Sequence, residues 1–247
     1  MKVFYSDLDN TLIYSYKHDI GKEKVCVEIC QGREISFMTR KSFESLKGVK
    51  EKVLFIPITT RTYEQYERIN LGIGTPEYTL VCNGGVLLAN GREDLKWYEE
   101  SLRLIDESRE ELEKAFVSLE KDEDRDFELR NIRDLFLFTK SKDPDKTIER
   151  LRTVLDAEKV RVFKNGVKVY VMPVSLSKGS ALRRLNRRLN ADYVIAAGDS
   201  EFDVSMLREA DMAIAPKSLA ETYDITGNVI KSEGVLSDEA LNCIMKI

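Results

Sequence analysis

The sequence predicts an α/β fold: a Rossmann-like parallel sheet core with helices on both faces, plus an inserted α+β domain. Three observations predict it. Four short apolar runs each stop at polar or glycine-rich residues, the pattern of an open sheet whose crevice lies beyond the carboxyl ends of its strands. Amphipathic helical patterns lie between those runs. The middle of the chain then changes to a helix-strand-strand order that occurs twice, a layered α+β unit rather than more parallel sheet.

The first run, residues 2–6, leads straight into Asp7-Leu8-Asp9-Asn10-Thr11. It has the character of a buried parallel strand. Two further runs, residues 53–58 and 78–82, end at Thr59-Thr60-Arg61 and at Asn83-Gly84-Gly85. The fourth, residues 193–197, ends at Gly198-Asp199, and a fifth, residues 212–215, ends at Pro216. Before the second run, residues 25–29 and 34–38 flank Gln31-Gly32, which predicts a hairpin flap above the end of the first strand. Residues 62–69 open with Thr62 and Gln65 at capping-box spacing, so a helix is expected there. Residues 178–189 place Ala181, Leu182, Leu185 and Leu189 on one helical face, with Arg183, Arg184, Arg187 and Arg188 mostly on a solvated one.

The inserted unit is expected over residues 86–175, leaving residues 1–85 and 176–247 as the core. It contains a charged helix (99–119), strands at 127–130 and 135–139, and a second helix (144–155). A hairpin at 160–172 turns at Asn165-Gly166, a dipeptide suited to the left-handed turn of a two-residue hairpin.

Composition narrows the function. The 247 residues are 43% hydrophobic and 33% charged, suited to a soluble globular protein. The formal net charge of −4 gives no reason to expect nucleic acid. The N-terminal apolar run is too short for a signal peptide, and no stretch nears the roughly 20 apolar residues that span a bilayer. A cytoplasmic protein with no membrane partner is therefore expected; oligomeric state is open. Cys26, Cys30, Cys82 and Cys243 are too scattered for a disulfide scaffold. His18 is the only histidine, which weakens any Ser-His or Cys-His hydrolase.

The strand ends carry the chemistry. Residues two apart in extended backbone share a side, so Asp7 and Asp9 face one site. Two carboxylates that close need a cation or a proton between them. Oxygen ligands and a divalent charge suit magnesium, which keeps open positions for a substrate phosphate. Thr59 or Thr60 adds a hydroxyl and backbone amides. Lys178 adds a compact cation at a helix start, where the helix dipole opposes it, which favours a functional reason. Asp199 and Asp203 add acid to the same edge. Positioning and charge neutralisation are most of what phosphoryl transfer requires. Arg61 either contacts substrate or pairs with a nearby acid, and Asn83 either shapes its turn or binds substrate.

Asp7-Leu8-Asp9-Asn10-Thr11, Thr59, Lys178 and Gly198-Asp199-x-x-x-Asp203 resemble the four ordered motifs of the haloacid dehalogenase-like superfamily. The chain is further similar to its Cof-type and sucrose-phosphate-phosphatase-like branch, which carries a type II cap of subclass B. Thr59-Thr60-Arg61 is similar to that branch's Thr-Gly-Arg, and Asn83-Gly84-Gly85 to the entry into its cap. The resemblance implies a magnesium-dependent phosphatase acting on a small phosphorylated metabolite, such as a sugar phosphate. Asp7 would be the nucleophile that becomes an aspartyl phosphate, and Asp9 the acid and base. Thr59, Thr60 and Lys178 would bind the phosphoryl oxygens. Asp7, the Asp9 carbonyl and Asp199 would hold the metal, with Asp203 bound through water or orienting the shell. The cap would close over the crevice and supply specificity, from residues such as Arg130, Asn131, Arg133 and Lys168. Two departures stand out: Thr60 replaces the usual glycine, and Phe202 stands where the branch usually has asparagine. The alternatives are a phosphomutase-like phosphotransferase and a non-catalytic protein that binds a phosphorylated ligand.

Overall fold

The computed structural model describes all residues, Met1–Ile247. The chain divides into two compact units, one made of Met1–Asp94 with Lys178–Ile247, the other of Leu95–Ser177.

The first unit is built on a five-stranded parallel sheet in the order Val229–Ser232, Met212–Pro216, Tyr193–Ala197, Lys2–Ser6, Leu54–Pro57. The strand of lowest residue number is thus internal. The chain leaves it on one side toward Leu54–Pro57 and returns on the other at Tyr193–Ala197, which makes its carboxyl end the switch point of the sheet. Alternation along this strand serves two layers. Phe4 belongs to a buried apolar cluster with Leu46 and Val49 of the helix Arg40–Lys52 and Leu241 and Ile244 of the helix Leu236–Met245. Tyr5, pointing the other way, donates its hydroxyl proton to Asn186 of the helix Lys178–Leu189, 2.7 Å away. Burying the two sides of one strand against separate helices explains why the run is apolar at successive positions.

Two expectations for this sheet need correction. Tyr78–Val81 is not one of its five strands. It pairs antiparallel with Val86–Ala89, which pairs in turn with Arg92–Glu93. A single bridge, Ile58 to Leu80, ties this small sheet to the main one. The fifth parallel strand is instead Val229–Ser232, whose short, half-exposed sequence carries little apolar signal. The hairpin through Val86–Ala89 also keeps the chain in the first unit as far as Asp94, beyond the boundary expected at residue 85.

The flap is a hairpin of Lys24–Cys30 and Arg33–Thr39, turned by Gln31 and Gly32, both with positive φ. Tyr14–Ser15 adds a third strand to it. The helix expected over 62–69 is only Tyr63–Tyr66, although its capping box is present.

In the second unit a four-stranded antiparallel sheet runs in the order Val160–Asn165, Lys168–Pro173, Phe136–Lys140, Arg130–Ile132. The long helix expected over 99–119 is two helices, Leu95–Leu104 and Arg109–Glu120, separated by a tight turn at Asp106–Ser108. Ser108 explains the break: its buried hydroxyl donates to the Lys159 carbonyl at 2.9 Å rather than facing solvent from a continuous helix. The second helix is Pro144–Val154, with Asp143 capping the Lys146 amide and proline in its first turn. No helix of either unit is long and apolar enough to cross a membrane.

Candidate active site

Three loops meet at the carboxyl end of the parallel sheet. The first follows Lys2–Ser6. There the Leu8 carbonyl accepts the amides of Thr11, Leu12 and Ile13 at 3.2, 2.9 and 2.8 Å, and Asn10 takes a left-handed φ of 62°. Asparagine tolerates that conformation better than most residues. This single wound turn holds Asp7 at the strand's tip, where its amide donates to the Ala197 carbonyl at 2.9 Å. It also carries Thr11 toward the neighbouring strand, so that the Thr11 hydroxyl donates to Asp199 Oδ1 at 3.0 Å.

The second loop follows Tyr193–Ala197. A Cβ on Gly198 would lie 2.3 Å from the Cβ of Asp203 and 2.6 Å from its carboxyl carbon, so only glycine lets the loop fold back this closely. Asp203 exploits the approach. Its Oδ2 accepts the Asp199 amide at 3.1 Å, the Ser200 amide at 3.0 Å and the Ser200 hydroxyl at 2.8 Å. Its Oδ1 faces Lys178.

Lys178 opens its helix with its side chain 1% exposed. Its ammonium donates to Asp7 Oδ1 and to Asp203 Oδ1, each at 2.5 Å. A buried ammonium is stable only when paired and hydrogen-bonded, and two carboxylates pair this one. Burial works to lower its pKa, but Asp203 and Asp7 outweigh that and hold it above the usual lysine range.

Asp7, Asp199 and Asp203 each present a carboxylate oxygen, all within 4.8 Å of one another. Three carboxylates against one buried ammonium leave an excess of negative charge. Burial pushes the Asp7 carboxyl well above the ordinary range; Lys178 pulls it down, and Asp203, Asp199 and Asp9 push it up again. Asp199 is pushed up to about 7 by burial and then by Asp203. The donors are all hard oxygens, so the site fits a divalent cation of the magnesium type, which would supply the missing positive charge. Asp203 spends both oxygens on Lys178 and on the 199–200 turn. Asp7 and Asp199 each have one oxygen outside those contacts.

The third loop follows Leu54–Pro57. Thr59 is fully buried; its Oγ1 accepts the Arg61 amide at 3.1 Å, and its amide donates to the Leu80 carbonyl at 2.9 Å. Its hydroxyl proton stays available to an oxygen acceptor. Thr60 is half-buried beside it. Arg61 reaches across to Asp9 with two parallel bonds, Nε to Oδ2 and Nη2 to Oδ1, both 2.7 Å. Of the two roles open to Arg61, pairing with an acid is the one seen. Asn83 is buried inside a run of three left-handed residues, Cys82, Asn83 and Gly84, and its amide donates to the Thr59 carbonyl at 2.8 Å. A Cβ on Gly84, at φ +87°, would lie 2.3 Å from the Cβ of Ala181. The turn, with Asn83 inside it, therefore packs directly on the Lys178 helix.

The structure thus brings Asp7, Lys178 and Asp203, all buried, together with the half-buried Asp199 into one cluster and joins Asp9 to Arg61 beside it. Sequence reasoning missed Thr11 and Glu28. Glu28, on the flap, is 1% exposed and accepts Arg61 Nη1 at 2.8 Å. Regular alternation puts Glu28 on the same side as Lys24, so the sequence carried no signal for its burial.

Comparison with known proteins bears on this arrangement. The family model described as haloacid dehalogenase-like hydrolase matches residues 88–222, more than half of the chain, and the matched stretch holds Lys178, Asp199 and Asp203. The chain belongs to this family. Among curated relatives, a phosphoglycolate phosphatase of Methanosarcina acetivorans is 26% identical over 87% of this chain and 89% of its own length. One from Sulfurisphaera tokodaii is 26% identical over 77% of each chain. Among solved structures, the sucrose-phosphatase of Synechocystis, in complex with sucrose and phosphate, shares the fold. Its TM-score is 0.66 at 17% identity, over 99% of this chain and 96% of that one. The haloacid dehalogenase-like architecture accounts for the parallel sheet with its motifs at the strand ends, and for the separate α+β unit.

Proposed function

We propose that the protein is a phosphatase that hydrolyses a small phosphorylated metabolite, with Asp7 as nucleophile. The observation that carries this reading is the buried Lys178 ammonium, bridging Asp7 and Asp203 at the head of the sheet. A surface lysine would not accept burial in return for two carboxylates. A lysine that holds a nucleophile and a phosphoryl group together would need to.

Lys178 fixes Asp7 Oδ1, the oxygen magnesium would share, and leaves Oδ2 to attack phosphorus. The phosphorus–oxygen bond to the leaving group breaks as an acyl phosphate forms on Asp7. Asp9, whose side chain is 48% exposed, would carry its proton on one oxygen, which gives up its bond to Arg61, and pass it to the departing oxygen. Water then attacks phosphorus, Asp9 takes a proton from it, and Asp7 is released as the carboxylate. Lys178 and the hydroxyl and amides at Thr59 and Thr60 would hold the phosphoryl oxygens through both steps. Magnesium, held by Asp7, Asp199 and the Asp9 carbonyl, would neutralise charge on those oxygens. Asp203 keeps Lys178 and the 199–200 turn in place. The names of the two curated relatives support a phosphorylated small molecule as substrate, with phosphoglycolate the first to try, and the sucrose-phosphatase of the same fold adds sugar phosphates to the panel.

The test is a panel of phosphorylated acids, sugars and nucleotides assayed for free phosphate with magnesium present. Release of phosphate from at least one, lost in Asp7→Asn while the variant melts as a folded protein, is the expected result. An Asp7→Asn variant as active as the parent chain would overturn the mechanism.

A further inference from the structure

The flap residue Glu28 takes no part in the chemistry of phosphoryl transfer, yet its surroundings are unusual for a strand residue. It lies at an irregularity in the hairpin, where the register shifts on either side of it. Its side chain is fully buried. One oxygen accepts three bonds: Arg61 Nη1 at 2.8 Å, Arg68 Nη2 at 3.1 Å and Arg68 Nε at 3.2 Å. The other accepts the Ser36 hydroxyl at 2.6 Å. The two arginines and the serine fix both oxygens of the carboxylate.

Arg61 therefore works in two directions. One edge of its guanidinium grips both oxygens of Asp9, and the remaining nitrogen donates to Glu28 at 2.8 Å and, at the longer distance of 3.4 Å, to the Gln65 carbonyl. A guanidinium is flat and presents its donors in a rigid fork, so fixing one nitrogen fixes the plane of the rest. An arginine held only by Asp9 could swing with it, since Asp9 is half-exposed. Anchored at its far end to a buried carboxylate, it cannot. The bulge that turns Glu28 inward is what makes this anchoring possible, because the strand's regular alternation is broken there.

We infer that Glu28 is a positioning residue for Asp9: through Arg61 it sets where the proton-donating carboxyl lies relative to the leaving-group oxygen. The inference depends on the phosphatase reading, in which Asp9 protonates that oxygen. It names a chain of three side chains, Glu28 to Arg61 to Asp9, from the flap into the site.

The test exploits leaving-group chemistry. An alkyl phosphate needs its departing oxygen protonated, whereas p-nitrophenyl phosphate leaves as a stable anion and needs little help. kcat/KM reports only the steps up to transfer onto Asp7, so hydrolysis of the acyl phosphate does not enter it. Glu28→Gln keeps the shape and the oxygen facing Arg61 but removes the charge that anchors it. We expect kcat/KM for β-glycerophosphate to fall by about tenfold or more, a modest share of what general acid catalysis contributes. With p-nitrophenyl phosphate the same variant should stay within about threefold of the parent. In the Asp9→Asn background, Glu28→Gln should add nothing to the loss on the alkyl ester, because residues acting through one group are not additive. Equal losses on both esters, or additive losses with Asp9→Asn, would overturn the inference while leaving the phosphatase reading intact. Indifference of the alkyl ester to Asp9→Asn alone would instead sink the reading of Asp9. Should Glu28→Gln fail to fold, Ser36→Ala releases only one oxygen of Glu28. It should show the same asymmetry in smaller measure, and equal effects there would count against the inference.

Discussion

Replacing Asp203 by asparagine exchanges one oxygen for an NH2 group and changes almost no volume, so its cost is readable from the hydrogen bonds. One oxygen of Asp203 accepts from Lys178, and the other accepts three donors from the 199–200 turn. An amide offers a single oxygen. If that oxygen stays with the turn, the NH2 group faces the Lys178 ammonium, donor against donor. If it turns to Lys178, the NH2 faces two backbone amides and a hydroxyl. The first orientation is the less costly: it forfeits one charge-assisted bond, about 1.5–3 kcal/mol. It also leaves a buried ammonium with Asp7 as its one carboxylate. Breaking a buried pair from one side costs about 3–5 kcal/mol, and the full charge loss should fall in that range. For a unit of this size that corresponds to roughly 10 °C in melting temperature. Thermal unfolding in EDTA, followed by circular dichroism, measures it. Glu209→Gln is the control, because its ion pair with Arg183 is solvent-exposed and should contribute about 1 kcal/mol or less. A melting temperature for Asp203→Asn within about 2 °C of the parent would refute the argument that this carboxylate is saturated.

Further outcomes rest on the same contacts. Gly84→Ala puts a Cβ 2.3 Å from Ala181 on a backbone at φ +87°, and should destabilise by about 2–4 kcal/mol, measured by urea unfolding. Magnesium binding should weaken below about pH 7, because Asp199 is then protonated and must lose its proton to bind; calorimetric titration at pH 6 and pH 8 should show the tighter binding at the higher pH. The metal-free protein should show the opposite trend in stability. Its Asp199 carboxyl titrates near 7 when folded, against 3.8 as the ordinary value, so the folded state holds the extra proton between those limits and stability declines as pH climbs through them. A flat or rising melting temperature over that window in EDTA contradicts the assignment. Asp199→Asn should lower magnesium affinity by at least about tenfold with little change in fold, again by calorimetry.

Range decides which features the sequence disclosed and which it hid. Apolar runs that end in acids or glycine mark strand tips because burial on both faces demands continuous apolar residues, and such runs read locally. Lys2–Ser6 and Tyr193–Ala197 were legible for that reason. Val229–Ser232 was not: an edge strand needs only one well-buried side, and its half-exposed residues give no run. Tyr78–Val81 reads like its neighbours, but whether a run joins a sheet or folds into a hairpin depends on the next strand of the chain, here Val86–Ala89. The convergence of Asp7, Lys178 and Asp199 could be anticipated because each stands at the end or start of a regular element. The grip of Arg61 on Asp9, and of Glu28 on Arg61, could not. It depends on a bulge in the flap that turns one charged side chain inward, and strand periodicity would have placed that side chain outside.

The parallel sheet has a consequence for how the protein comes to exist. The strand that carries Asp7 is hydrogen-bonded along one edge to Tyr193–Ala197, nearly two hundred residues further along. During synthesis that edge stays open until most of the chain has emerged, while every strand of the sheet in the Leu95–Ser177 unit is already present. The pocket is thus among the last things assembled, and a truncated translation product ending before Tyr193 would carry Asp7 on a strand with no neighbour on that side.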